Sequence, residues 1–153
     1  MPAILIDEHL VHVGMAETAK EAAIRSLAQG LYDLDCVDQG YLENVLAREE
    51  IYPTGLPSWI PVAVCHTEAR FVKRSALAVG TLASPIAFQE MGTPERTVAA
   101  EIIFLLALAD PKEQVPWLKK MAGVFKDQNT LAAIRDARDA PALVQLLNAV
   151  FSA

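Results

Sequence analysis

Two rhythms of apolar and polar residues alternate along the chain. From Met15 to Leu31, Ala16, Ala19, Ala23, Ile24 and Leu27 recur on one helical face, and Gly30 falls near the stop. Val37 to Ile51 repeats the helical period, with Tyr41, Leu42, Val45 and Leu46 inward. Between and after these lie extended patterns. Ile4 to Val13 is apolar but broken by Asp7, Glu8 and His9, so a strand is expected near its end. Tyr52 to Pro61 holds three prolines and a glycine and predicts a loop. Val62 to His66 predicts a short buried strand. Ser75 to Ala83 and Pro85 to Met91 predict two strands joined tightly at Ser84-Pro85, followed by a loop at Gly92-Thr93-Pro94. Ala99 to Ala109 barely alternates and predicts a strand central in its sheet. Pro111 to Phe125 restarts a helix with Asp110 as N-cap. Asn129 to Asp136 and Ala140 to Phe151 add two more helical pieces. Helices at both ends with strands between predict a layered α/β domain.

Composition narrows the class. A chain of 153 residues, 53% apolar and 21% charged, is an ordinary size for one domain and is not a disordered chain. The longest strongly apolar run, Ile102 to Ala109, is too short to span a bilayer. The opening MPAILIDEHL has two acids and no basic region, so no signal peptide is expected. Cys36 and Cys65 form neither a disulfide framework nor a zinc spacing, which suits a reduced cytoplasm. A net charge of −6 argues against a nucleic-acid backbone binder.

The candidate chemistry is sparse. His9 and His12 make H-x-x-H, but an offset of three on a strand sends the rings to opposite faces, and no third metal ligand follows. Cys65 beside His66 suggests a nucleophile pair, yet neighbouring strand residues also point opposite ways, so Cys65 reads as a small buried hydrophobe. There is no G-x-S-x-G elbow and no Gly-rich phosphate loop. His66 itself has two readings. On position alone, a satisfied core histidine is the commoner outcome. Against that, it ends a core strand before a polar turn, where α/β folds expose catalytic groups, and a neutral imidazole is a good nucleophile near pH 7.

From Arg48 onward, "REEIYPTGLPSWIPVAVCHTE" resembles the active-site signature of the type 2 enzyme IIA domains of the sugar phosphotransferase system, the fructose–mannitol superfamily. Arg48-Glu49, Thr54-Gly55 and Val62-Ala63-Val64 followed by His66 match in order and spacing. "ERTVAAEIIFLLALADPKEQVPWLKKMAGVFKDQNTLAAI" looks like the family's final core strand, its D-P-type turn and the L-x-x-L helix after it. The stretch "REEIYPTGLP" looks most like the galactitol-type subgroup. There are two departures. Cys65 stands where the family has proline, and Gln114 stands where many members carry a second histidine.

The resemblance implies a single domain over residues 1–153, with a mixed, mostly parallel β-sheet and helices on both faces. It implies a cytoplasmic phosphocarrier. His66 would take a phosphoryl group from the carrier HPr and pass it to a cysteine of a sugar-specific enzyme IIB, with no cofactor and no metal. Arg48 would hold phosphoryl oxygens, and Thr54 and Gln114 would donate hydrogen bonds to them. One ring nitrogen of His66 would attack while a backbone carbonyl holds the other as N–H. Contact with a membrane would come only through the enzyme IIB/IIC complex. The same resemblance leaves two other roles open: a regulatory nitrogen-type enzyme IIA that signals by phosphorylation-dependent protein binding, and a degenerate interaction module.

Overall fold

The computed structural model describes residues 4–151. Met1 to Ala3, part of the stretch read for a leader, lie outside the described residues. Among the described residues five strands form one mixed sheet: β1 (Val11–Met15), β2 (Gly55–Leu56), β3 (Val62–Cys65), β4 (Ala76–Glu90) and β5 (Thr93–Ala107). β1, β4, β5 and β3 lie side by side. β2 pairs with β3 and touches the far end of β4 at Gly55 and Glu90. Three of these five pairings are parallel, and the longest ladder, the β4–β5 hairpin, is antiparallel. β5 has neighbours on both sides, as its unbroken apolar run predicts, and Ile102 to Leu106 are buried.

Helices cover both faces. α1 (Lys20–Asp33) and α2 (Tyr41–Ile51) pack with Ala63, Cys65, Ala78 and Ile103 on one side. On the other, α3 (Gln114–Phe125), α4 (Gln128–Arg135) and α5 (Ala140–Phe151) enclose Val62, Val64, Ile102 and Phe104. Over Val62–Cys65 and Ile102–Ala107 the alternation splits the core this way, odd positions to one layer and even to the other. Phe104 anchors the second layer: its ring centroid lies 5.1 Å from that of Phe125 and 6.4 Å from that of Phe151.

Several expected boundaries move, each for a tertiary reason. Ser84-Pro85 is no turn. β4 runs straight through it, and Pro85 sits where the ladder to β5 slips between Thr81 and Ile86, at exposed positions. A proline in a strand is tolerated at such an irregularity because no N–H is demanded there. The true turn is Met91-Gly92, with Gly92 at φ +78°, and β5 begins at Thr93 rather than Ala99 and ends at Ala107. Met15 belongs to β1, not to the helix. The space over Gly80 is filled by its sulfur, and α1 starts only at Lys20. Val37 bridges Val72, so α2 starts at Tyr41. Asp110 accepts from the Lys112 N–H at 3.0 Å, capping a 3-10 turn (Pro111–Glu113) that leads into α3.

Candidate active site

β3 ends at Cys65, and His66 is the next residue. Its half-buried ring shares a pocket of about 150 Å³ with Val64, Leu56 and Met91, closed by Leu118, Met121, Ala122 and Phe125 of α3. The Nδ1 atom lies 3.0 Å from the carbonyl oxygen of Val64. A carbonyl oxygen only accepts, so Nδ1 carries the hydrogen and donates it. In the neutral ring the lone pair is then on Nε2, away from the strand. Burial holds the imidazole below its ordinary pKa, the Val64 carbonyl partly opposes this, and the charge of Arg48 lowers it further. The neutral, nucleophilic form therefore prevails at pH 7.

Arg48 stands in the last turn of α2, half-buried, with its guanidinium carbon 5.3 Å from the centroid of the Tyr52 ring. Among the described residues it makes no ion pair. Its charge contributes to lowering the His66 pKa, which puts the two side chains within electrostatic reach of each other. Thr54 lies elsewhere. It is buried, and both its N–H and its hydroxyl donate to Glu49, each at 2.8 Å. Its Oγ1 is 3.9 Å from the sulfur of Cys65, on the α1/α2 side of the sheet. The hydroxyl proton expected to reach a phosphate is directed to Glu49 here, and the oxygen faces the Cys65 layer rather than the His66 pocket. Gln114 heads α3, half-buried, one turn before Leu118 and on the same stripe.

Gly55 is explained by close packing. A Cβ there would meet the Gln89 carbonyl oxygen at 2.6 Å and the Phe88 Cβ at 3.1 Å. That approach lets the Met91 N–H donate to the Gly55 carbonyl at 2.8 Å, which sets the hairpin tip beside the pocket. Cys65 behaves as the alternation predicts. It is fully buried beneath α1 and α2 while His66 opens on the α3 side, and burial together with the Glu49 charge pushes its thiol pKa well up. His9 is exposed beside Asp7, 2.8 Å away, and no group of three metal-ligating side chains occurs among the described residues.

The sequence reading passed over Glu49 as a residue in its own right. Its signal was present, since Tyr41, Val45 and Glu49 share one stripe at a spacing of four, which puts a carboxylate on the buried face. The pocket walls Leu56, Met91 and Met121 carried no such signal, being ordinary core residues by pattern.

Among curated proteins, 85 residues are 33% identical to the transcriptional regulator ManR of Bacillus subtilis (strain 168), over 56% of this chain. The chain spans 12% to 16% of the length of the first curated relatives it matches. A mannitol-specific phosphotransferase enzyme IIA component of Enterococcus faecalis is 25% identical over 119 residues, 77% of this chain and 79% of that one. The solved complex of enzyme IIAMtl and phosphorylated enzyme IIBMtl from Escherichia coli shares the fold, with a TM-score of 0.75 at 18% identity, over 96% of this chain and 99% of that one. The model of one family, "Phosphoenolpyruvate-dependent sugar phosphotransferase system, EIIA 2", matches residues 4–150, and the chain belongs to that family.

Proposed function

We propose that His66 is the phosphorylated residue of a phosphocarrier. It accepts a phosphoryl group from the histidine of phospho-HPr and delivers it to a cysteine of a sugar-specific enzyme IIB. The observation that carries this is the His66 ring itself, with Nδ1–H held by the Val64 carbonyl and Nε2 left with the lone pair. In the first transfer the Nε2 lone pair forms the new P–N bond while the donor's P–N bond breaks. In the second, the thiolate of enzyme IIB forms a P–S bond as the bond to Nε2 breaks. The transition state is loose and its charge lies on the three equatorial oxygens, so positioning and a cation do most of the work. Arg48 is that cation. Gln114 completes the rim from the α3 side. Thr54 contributes by ordering the turn before β2.

The surroundings suit protein partners. Among the described residues the exposed large apolar side chains are Ile51, Tyr52, Trp59, Met91 and Val115. They sit on the end of α2, the β2–β3 loop, the hairpin tip and the first turn of α3. Met91 lines the His66 pocket itself. We read Met91, with these other exposed apolar side chains, as part of a protein-docking surface. Among the described residues no helix is long and apolar enough to cross a membrane. We place the carrier in the cytoplasm, in contact with the membrane only through enzymes IIB and IIC. The galactitol-like subgroup rests on REEIYPTGLP alone. The Enterococcus faecalis relative is mannitol-specific, so a polyol-type enzyme IIB is the acceptor we favour.

Likeness to ManR supports a second reading, in which phosphorylation of His66 signals through protein binding rather than feeding transport. The test for the first reading is incubation with enzyme I, HPr and phosphoenolpyruvate, followed by intact mass. One acid-labile, base-stable phosphate is expected, lost in His66→Ala and kept in His9→Ala and His12→Ala. Labelling of His66→Ala at another residue would overturn the assignment. Delivery of the phosphate to a polyol-type enzyme IIB cysteine separates transport from signalling.

A further inference from the structure

A buried polar network lies on the opposite side of β3 from the His66 pocket, and two of its members are the chain neighbours of the two principal site residues. Glu49 follows Arg48, and Cys65 precedes His66. Glu49 is 3% exposed. Its Oε2 accepts the Thr54 N–H and its Oε1 accepts the Thr54 hydroxyl, and the Cys65 sulfur lies 3.9 Å from that same hydroxyl oxygen. Burying a carboxylate is costly, and hydrogen bonds of this kind only offset that cost. Apolar packing would hold the end of α2 at least as firmly, so the carboxylate demands a geometric explanation.

The connectivity supplies one. From Arg48 the path runs through one peptide to Glu49, then across two hydrogen bonds to Thr54. Thr54 is joined to Gly55, which pairs with Ala63 of β3, and β3 ends at His66. Without the carboxylate, β2 would be held by a two-residue ladder, its single pairing with Glu90 and the Met91 N–H. The end of α2 would then lose both of these hydrogen bonds to the turn before β2 and keep its covalent link through Tyr52-Pro53.

We propose that Glu49 is a positioning residue of the phosphotransfer site, clamping the Thr54-Gly55 turn to the end of α2 and so setting the guanidinium of Arg48 against Nε2 of His66. This rests on the reading of His66 as the phosphoryl acceptor. A clamp acts on alignment, not on docking, and a misplacement of about 1 Å can cost up to about a hundredfold in rate.

The test uses the full chain as wild type, Glu49→Ala, Glu49→Gln and Thr54→Val, with Glu50→Ala as control because Glu50 is exposed and its ion-pair partner among the described residues is Lys20, at 3.7 Å. Transfer from phospho-HPr is followed as a function of donor concentration, beside circular dichroism for folding. Glu49→Ala and Thr54→Val are expected to lower the saturating rate by about tenfold or more, with half-saturation moved by less than about twofold. Glu49→Gln is expected within about threefold of wild type, because its amide still accepts the Thr54 N–H and can donate to Thr54 Oγ1. Glu50→Ala should match wild type. Folded Thr54→Val and Glu49→Ala proteins that transfer at the wild-type rate overturn the clamp. So does a Gln variant as slow as the Ala variant, since charge rather than geometry would then be at work. If Glu49→Ala does not fold, Thr54→Val and Glu49→Gln decide by the same criteria. A wild-type chain that takes no phosphate removes the phosphocarrier reading and the clamp with it. A wild-type chain that is phosphorylated beside unaffected variants removes the clamp alone.

Discussion

Replacing Arg48 separates catalysis from stability. In the folded chain the guanidinium stacks over Tyr52, which is 62% exposed, and makes no ion pair among the described residues. An exposed cation–π contact contributes about 0.5–1 kcal/mol. For a domain of this size about 1 kcal/mol shifts the thermal midpoint by about 2–4 °C, so Arg48→Ala should unfold only slightly earlier. The loss in transfer should be far larger. Removing a donor aimed at developing charge costs about 3 kcal/mol, roughly a hundredfold in rate. Arg48→Lys keeps a point charge but loses the planar fork, so an intermediate loss of roughly tenfold is expected. A third readout is independent of turnover. The Arg48 charge lowers the His66 pKa, so Arg48→Ala should raise it and Arg48→Lys should leave it nearly unchanged. The assays are phosphotransfer from phospho-HPr, thermal unfolding, and NMR titration of the His66 ring. If both variants unfold far earlier while the folded fraction transfers at the normal rate, Arg48 is a structural residue and the argument fails.

The remaining predictions concern its neighbours. Cys65→Ala should transfer within about tenfold of wild type, roughly 1.4 kcal/mol of barrier, because the thiol sits on the face away from the pocket; a loss on the scale of His66→Ala would contradict this. His66 has a folded pKa held below the ordinary imidazole value of about 6.5, so the unfolded chain takes up its proton first. Stability from this ring is thus full above about pH 6.5 and is lost as pH falls through the folded value. Denaturant melts should show a shallower decline over that window in His66→Gln, and an identical decline would refute the assignment. Gly55→Ala should push β2 off the Gln89 carbonyl, lowering stability by about 1–3 kcal/mol and slowing transfer, as urea melts and phosphotransfer rates would show. Phe104→Ala should cost about 3–5 kcal/mol by urea melts, since its ring joins α3 and α5 to the sheet.

What the sequence determined by itself was local. The period of 3.6 placed the helices after β1 and after Asp110. The period of two put Cys65 and His66 on opposite faces, and the apolar run ending in a polar turn marked His66 as the residue to watch. These follow from residues close in the chain, whose side-chain directions the backbone dictates. Tertiary structure decided the partners. Pro85 reads as a turn until β5 lies alongside and the slipped register removes the need for its N–H. Gly55 looks like a turn glycine, and only the approach of Gln89 shows that its missing Cβ is what matters. Thr54 reads equally as a phosphate donor or a loop residue until the end of α2 brings Glu49 within 2.8 Å of it. Half of the residues lining the His66 pocket come from α3, some fifty residues later in the chain, and no local pattern marks them as site rather than core. A hydrogen bond or a close contact between distant segments depends on how whole layers pack, and periodicity records only which face each segment buries.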